Sequence, residues 1–104
     1  MREVDFEEYL EWREDEEVRL IDVREDDEFE DVRVKEAELF PLSKIQRGEL
    51  PEEDERRIAV ICRSGSRSAT ACKVFEKAGF KQCTNIAGGT LGAIEAGEEY
   101  VERG

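Results

Sequence analysis

A cysteine at the start of a small-residue loop is the feature of this sequence best suited to chemistry. The stretch VICRSGSRSATA occupies residues 60–71 and places Cys62 directly after an apolar run. A thiol followed by cations and small residues suits nucleophilic attack on a small anionic substrate. The loop carries two cations and four small residues, which are Arg63, Ser64, Gly65, Ser66, Arg67 and Ser68.

The position of Cys62 favours its thiolate. The run IAVIC predicts a buried strand and SATACKVFEKAGF predicts a helix, so the loop between them opens a helix. A helix N-terminus presents unpaired N–H groups and a partial positive charge. Small residues let several N–H groups converge on one point, and the cations of Arg63 and Arg67 add to the effect. We therefore predict a Cys62 pKa below the ordinary value of about 8.5, although the chain has no histidine to act as a base.

The other two cysteines are predicted to be packing residues. Cys72 falls on the inward face of the predicted helix and Cys83 falls in a short strand, where a free cysteine behaves as a small hydrophobe. The alternative is that one of them is a resolving thiol for Cys62. The three cysteines have no metal-ligand spacing, so we expect free thiols, no metal and no cofactor.

Length and charge restrict the classes of partner. The 104 residues suit one domain spanning residues 1–104, and the net charge of -12 disfavours nucleic acids and anionic membranes. The acidic surface leaves open a basic protein partner or adaptation to high salt. No apolar run approaches the roughly 20 residues of a membrane span, and the acidic N-terminus does not resemble a signal peptide. We therefore expect a cytoplasmic protein.

The elements that must position the loop alternate between strands and helices. This alternation predicts an α/β fold, with a parallel sheet covered by helices on both faces. In such sheets the reactive site lies beyond the carboxyl ends of the strands, where Cys62 falls. The predicted helices are VDFEEYLEWRE, LSKIQRGEL, SATACKVFEKAGF and the end of AGGTLGAIEAGEEYVERG, the predicted strands are VRLIDV, AELF, IAVIC and QCTNI, and REDDEFEDV is a short helix or turn.

Two of these helices carry the spacing of a capping box. Asp5 precedes Glu8 by three residues in the first helix, and Ser43 precedes Gln46 by three in the second. Trp12 lies off the apolar face of the first helix, so we expect it to be a half-buried packing residue.

The segments LIDVRE, CRSGSRSA, AGF and GG occur in this order, and with them the chain resembles the single-domain rhodanese family of sulfurtransferases. The resemblance covers roughly residues 4–97 and is most specific in the loop at residues 62–68. It implies a rhodanese-like fold, with a central parallel five-stranded sheet and helices on both faces. It also implies transfer of sulfane sulfur from thiosulfate or a similar anionic donor to cyanide or a thiol acceptor.

The resemblance further implies roles for individual residues. Cys62 would be the nucleophile and the persulfide carrier, and the loop from Arg63 to Ser68 would supply backbone N–H groups to the persulfide. The two arginines of the loop would bind the donor anion. Asp22 and Arg24 match the Asp-x-Arg motif of the family and would support the site without taking part in the chemistry.

Three residues depart from the family pattern. Arg33 and Glu36 stand where the family commonly has the histidine and glycine of a His-x-x-Gly-Ala motif. Ala93 stands where a tryptophan often follows the Gly-Gly turn. These changes bear on local packing and on the rim of the site, and leave the cysteine loop intact.

Two other functional classes fit parts of the pattern. Cysteine phosphatases and arsenate reductases also place a cysteine and an arginine on an anion-binding loop, but usually with five residues between them. Four residues separate Cys62 from Arg67, and Ile61 stands where the tyrosine-phosphatase type has a histidine. The second alternative is a non-catalytic binding or regulatory module that uses its acidic surface to bind a basic partner.

Overall fold

A five-stranded parallel sheet forms the centre of the molecule, as the sequence predicts. The computed structural model describes residues 1–104. The strand order is β1-β6-β5-β2-β4, and β3 and β7 form a separate antiparallel pair. No helix combines the length and hydropathy of a membrane span. The elements are β1 (Arg2–Asp5), α1 (Phe6–Asp15), β2 (Val18–Asp22), α2 (Asp26–Asp31), β3 (Val32–Val34), β4 (Glu38–Leu39), α3 (Leu42–Gln46), β5 (Arg57–Ile61), α4 (Ser66–Lys77), β6 (Cys83–Ala87), α5 (Gly89–Ala96), a 3-10 turn (Glu98–Tyr100) and β7 (Val101–Arg103).

The central strand β5 is buried on both faces, which confirms the interpretation of IAVIC. Ala59 and Ile61 belong to the core beneath α1 and α5, whereas Ile58 and Val60 belong to the core beneath α3 and α4. A strand that meets helices on both sides has no polar face, so its sequence shows no alternation. The two cores therefore fix the position of β5 and also that of Cys62, the residue that follows it.

The capping box predicted for the first helix is present in α1. The Glu8 N–H donates to Asp5 Oδ1 at 2.8 Å, and the Asp5 N–H donates to Glu8 Oε1 at 3.3 Å. Trp12 is a packing residue as predicted, but it is buried rather than half-buried, with 8% of its surface exposed. The guanidinium of Arg2 lies 4.8 Å from the centre of the indole ring and contributes to this cover.

Three short strands and one helix start differ from the sequence prediction. β1, β3 and β7 were not predicted, because strands of four residues or fewer are too short to show a period. The prediction of Ser43 as a helix cap is wrong. Pro41 precedes α3, and the Ser43 hydroxyl donates to Glu25 at 2.9 Å. A proline lacks a backbone N–H and has a fixed φ, so it is readily accommodated where a helix begins.

The residues that depart from the family pattern have local partners. Glu36 accepts a hydrogen bond from the Tyr9 hydroxyl at 2.7 Å and forms an ion pair with Arg13. Burial and the adjacent Glu36 raise the pKa of Tyr9, so its hydroxyl stays protonated and donates. Arg33 lies on β3 and pairs with an acidic residue of β7, and Ala93 is buried in the core beneath α5.

Stability should depend strongly on Phe75, which has no exposed surface and stacks on Phe80 with ring centres 5.1 Å apart. We expect Phe75→Ala to lower the free energy of unfolding by about 3–5 kcal/mol, because it leaves a cavity under α4. The matched control is Leu91→Ala, at a side chain 43% exposed, which should cost less than about 0.5 kcal/mol. Urea denaturation measures both, and similar losses would contradict this description of the core.

Candidate active site

Cys62 is the first residue after β5, at the carboxyl edge of the parallel sheet. The neighbouring strand follows β5 up to this edge, since the Val23 N–H donates to the Ile61 carbonyl at 3.0 Å. Only 1% of the Cys62 surface is exposed. An electrophile must therefore approach the sulfur through the opening of the loop that follows.

The loop directs hydrogen-bond donors at the Cys62 sulfur. The Gly65 N–H donates to Sγ at 3.1 Å, and the Ser68 hydroxyl donates to it at 3.2 Å. Gly65 has a φ of +113°, a left-handed conformation that favours glycine and turns the chain into α4. The first turn of α4 therefore begins beside the sulfur, with its unpaired N–H groups at that end.

These donors stabilise a thiolate. Burial alone would raise the pKa of Cys62, but hydrogen bonds from the Ser68 hydroxyl and from the N–H groups of Ser68, Gly65 and Ser64 outweigh it. The resulting pKa lies below the ordinary value of a cysteine, which is the direction that the sequence predicts. The sequence did not predict the contribution of the Ser68 side chain, because a sequence does not show to which atom a serine hydroxyl donates.

The two loop arginines have different environments. Both terminal nitrogens of Arg67 donate to the Glu28 carboxylate, at 2.6 and 2.8 Å. These hydrogen bonds lower the pKa of Glu28 to about 2, so its carboxylate is charged at neutral pH. Arg63 is exposed and its side chain forms no hydrogen bond or ion pair. The cation free to meet a substrate is therefore Arg63.

A cleft of about 300 Å³ opens beside the loop. Arg63 and Glu28 contribute charged groups to its wall, and Leu91 and Ile94 of α5 contribute apolar surface. The exposed Ser64 and Ser66 lie along the loop, and Ser66 begins α4. The arrangement suits a small polar compound whose anionic end meets Arg63.

Asp22 and Arg24 form a buried ion pair at the end of β2. Arg24 Nη2 lies 2.8 Å from Asp22 Oδ2, and the same nitrogen donates to the Val32 carbonyl at 2.7 Å. Arg24 Nη1 also donates to the backbone carbonyl of Glu28 at 3.4 Å. The pair therefore ties α2 and β3 to the carboxyl edge of the sheet, consistent with a supporting role.

The first turn of α5 holds the backbone of the loop, a contact that the sequence did not predict. The N–H and hydroxyl of Thr90 both donate to the Cys62 carbonyl, at 2.9 and 3.1 Å. The Leu91 N–H donates to the Arg63 carbonyl at 3.2 Å. Gly89 packs so closely that a Cβ there would lie 2.6 Å from the Arg63 carbonyl carbon. The Gly-Gly pair in the sequence is the signal that points to this close approach.

Asn85 holds the other side of the loop. This residue of β6 is 1% exposed, and its Nδ2 donates to the Gly65 carbonyl at 3.1 Å and to Glu3 at 2.8 Å. Its Oδ1 is buried without a partner. In the sequence, the only indication of this contact is an asparagine within the predicted strand QCTNI.

The chain belongs to the rhodanese-like domain family, since the model of the Rhodanese-like domain matches residues 5–95. This confirms the family and the fold that the sequence suggests. A Bacillus subtilis (strain 168) protein named "Putative sulfur carrier protein YrkF" is 38% identical over 77 residues. The match covers 72% of this chain, which spans only 40% of the length of that relative.

Solved structures share the whole fold. A rhodanese-like domain protein from Staphylococcus aureus superposes with a TM-score of 0.81 at 25% identity, covering 100% of this chain and 99% of that one. A human single-domain sulfurtransferase, TSTD1, gives a TM-score of 0.78 at 20% identity, covering 91% of this chain and 96% of that one. The second likeness concerns the fold alone.

Removing the Ser68 hydroxyl should raise the pKa of Cys62. In Ser68→Ala the thiolate loses its side-chain donor, so we expect alkylation by iodoacetamide to titrate at higher pH and to be severalfold slower at neutral pH. Thr70→Ala is the control, because that exposed hydroxyl of the same helix contacts only the Ser66 carbonyl. Equal midpoints in Ser68→Ala and the unmodified protein would show that the hydroxyl does not stabilise the thiolate.

Adding a methyl group at Gly89 should displace the loop. Its Cβ would overlap the Cys62 and Arg63 backbone, so Gly89→Ala should separate the N–H donors from the sulfur and move the alkylation midpoint upward. Gly88→Ala is the matched control, since that glycine also has a positive φ, of +81°, but an added Cβ there meets no atom within 4 Å. Both variants should lose stability, whereas only Gly89→Ala should change the titration of Cys62.

Proposed function

We propose that the chain is a sulfurtransferase that carries sulfane sulfur as a persulfide on Cys62. The observation that supports it most directly is the Cys62 sulfur at a helix N-terminus, with donors at 3.1 and 3.2 Å. Membership of the rhodanese-like family supports sulfur transfer as the general class of reaction. The matched relative named as a sulfur carrier points the same way.

In the first step the Cys62 thiolate attacks the outer sulfur of thiosulfate. A new bond forms between the two sulfurs, the sulfur–sulfur bond of thiosulfate breaks, and its electron pair leaves with sulfite. The products are a Cys62 persulfide anion and sulfite, so the total charge is unchanged. No base is needed, because the hydrogen bonds already favour the thiolate.

In the second step an acceptor removes the outer sulfur. Cyanide attacks the terminal persulfide sulfur, the sulfur–sulfur bond breaks, and its electron pair returns to Cys62 as a thiolate. Thiocyanate leaves, and a thiol acceptor would leave as a persulfide by the same route. The loop N–H groups and the N-terminus of α4 suit this cycle, because the site carries one negative charge both before and after the transfer.

Binding of the anionic donor is assigned first to Arg63. Its guanidinium has no partner in the protein and lines the cleft beside the loop. Arg67 is the second candidate, and its contribution depends on Glu28. The loop backbone from Arg63 to Ser68 is suited to hold the persulfide.

The carrier is tested by replacing each cysteine in turn. Cys62→Ser should abolish thiocyanate formation, and should also abolish the single sulfur atom gained on incubation with thiosulfate and seen in the intact mass. Cys72→Ala and Cys83→Ala should retain most of both, because these cysteines are fully buried in the core beneath α4. Dithiothreitol should remove the added sulfur.

Two results would contradict the proposal. Sulfur transfer that persists in Cys62→Ser would place the carrier elsewhere. An unmodified protein that folds, contains an ionised Cys62 and gains no sulfur would favour the non-catalytic binding module instead.

A further inference from the structure

The arginines around the cleft are neutralised with one exception. Arg24 pairs with an aspartate at 2.8 Å, Arg103 pairs with a glutamate at 2.9 Å, and Arg67 pairs with Glu28. Arg63 alone has no acidic partner. Arg63 is therefore the one cation of the cleft that is free to meet an anion; Asp31, which also lines the cleft, has no ion pair either and adds a negative charge, in a chain whose net charge is -12.

We propose that Glu28 is a positioning residue that sets the charge preference of the site. By holding and neutralising Arg67, it disfavours dianionic sulfur donors such as thiosulfate and favours neutral or singly charged sulfur compounds. The identity of the substrates rests on the proposed function, whereas the charge preference belongs to the loop itself.

The Glu28–Arg67 pair is fixed from both sides. Glu28 lies on α2, where its carboxylate also accepts the Glu25 N–H at 3.3 Å and its backbone carbonyl accepts from Arg24. Arg67 lies in the first turn of α4, next to Ser68, which contacts the Cys62 sulfur. Two short hydrogen bonds in a bidentate geometry hold the guanidinium in one orientation.

The pair acts close enough to Cys62 to affect its reactions. The hydrogen bonds to Glu28 are the main reason that the pKa of Arg67 is raised, and the negative charge of a Cys62 thiolate raises it further. The two side chains are only 36% and 28% exposed, so salt screens them less than a surface pair. With Glu28 uncharged, an anion reaching the sulfur would meet two cations instead of one.

Glu28→Gln is the variant of choice. Glutamine keeps the size of the side chain, and its carbonyl oxygen can still accept the Glu25 N–H, so the start of α2 is retained. Asp54→Asn is the matched control, because it removes one negative charge from an arginine partner at 2.6 Å, in the loop before β5 and thus at the opposite edge of the sheet.

The first measurement compares alkylation of Cys62 by iodoacetate, an anion, and by iodoacetamide, which is neutral. Both displace iodide with the same thiolate, so any change in the pKa of Cys62 cancels in the ratio of their rate constants. We expect Glu28→Gln to raise the iodoacetate to iodoacetamide ratio roughly fivefold, with less than about twofold in Asp54→Asn. A rise below about twofold in Glu28→Gln, or an equal rise in the control, overturns the inference.

The second measurement is sulfur transfer itself. Glu28→Gln should lower the KM for thiosulfate several times more than it changes kcat. Without a charged partner, Arg67 becomes a second cation that attracts the dianion when it binds. An unchanged KM overturns the inference that Glu28 disfavours dianionic donors such as thiosulfate. If the protein transfers no sulfur while the alkylation ratio rises, the proposed function fails and the charge preference stands. If sulfur transfer occurs and the ratio does not change, the inference about Glu28 fails alone.

Discussion

Stabilising a negative charge on a nearly buried sulfur is the physical requirement on which the rest of the site depends. Cys62 is 1% exposed, and burying an anion without partners is costly. The chain has no histidine to form an ion pair with a thiolate. Stabilisation must therefore come from N–H and hydroxyl donors, and several of these can meet at one atom only where a loop curls into a helix. The left-handed Gly65 provides that curl.

Donors at fixed distances require a loop that cannot move, and distant parts of the chain restrain it. Thr90 holds the Cys62 carbonyl from one side and Asn85 holds the Gly65 carbonyl from another. The arrangement has a cost, because Asn85 Oδ1 is buried without a partner and such an atom costs about 1–3 kcal/mol. Both bonds made by its amide nitrogen offset that cost in part. The geometry of the thiolate therefore depends on residues that never contact the sulfur.

Local patterns predict part of this structure. Neighbours in sequence predict the apolar run of β5, the cap of α1 at Asp5, the helix after the loop and the position of Cys62 at the end of β5. Neighbours in sequence do not predict β3 and β7. Each of these three-residue strands forms only by pairing with the other, and the paired residues lie 67 residues or more apart in the chain. Ser43 had the spacing of a cap, but α3 begins at Leu42, directly after Pro41, so Ser43 lies within the helix. Short elements follow tertiary contacts rather than their own propensities.

The pairing of charges is also invisible in the sequence, and it changes how the site is understood. Composition suggests a protein that repels anions everywhere, and the loop suggests two cations that attract them. The structure separates these effects, because Glu28 from the acidic stretch REDDEFEDV reaches across to Arg67 and cancels one of the two. At about 8 Å, the Debye length in physiological salt is shorter than the molecule, so the remote acidic surface is largely screened near the cleft. We therefore expect the balance of Arg63, Arg67 and Glu28, which lie close to the sulfur, to decide which charged compounds reach Cys62.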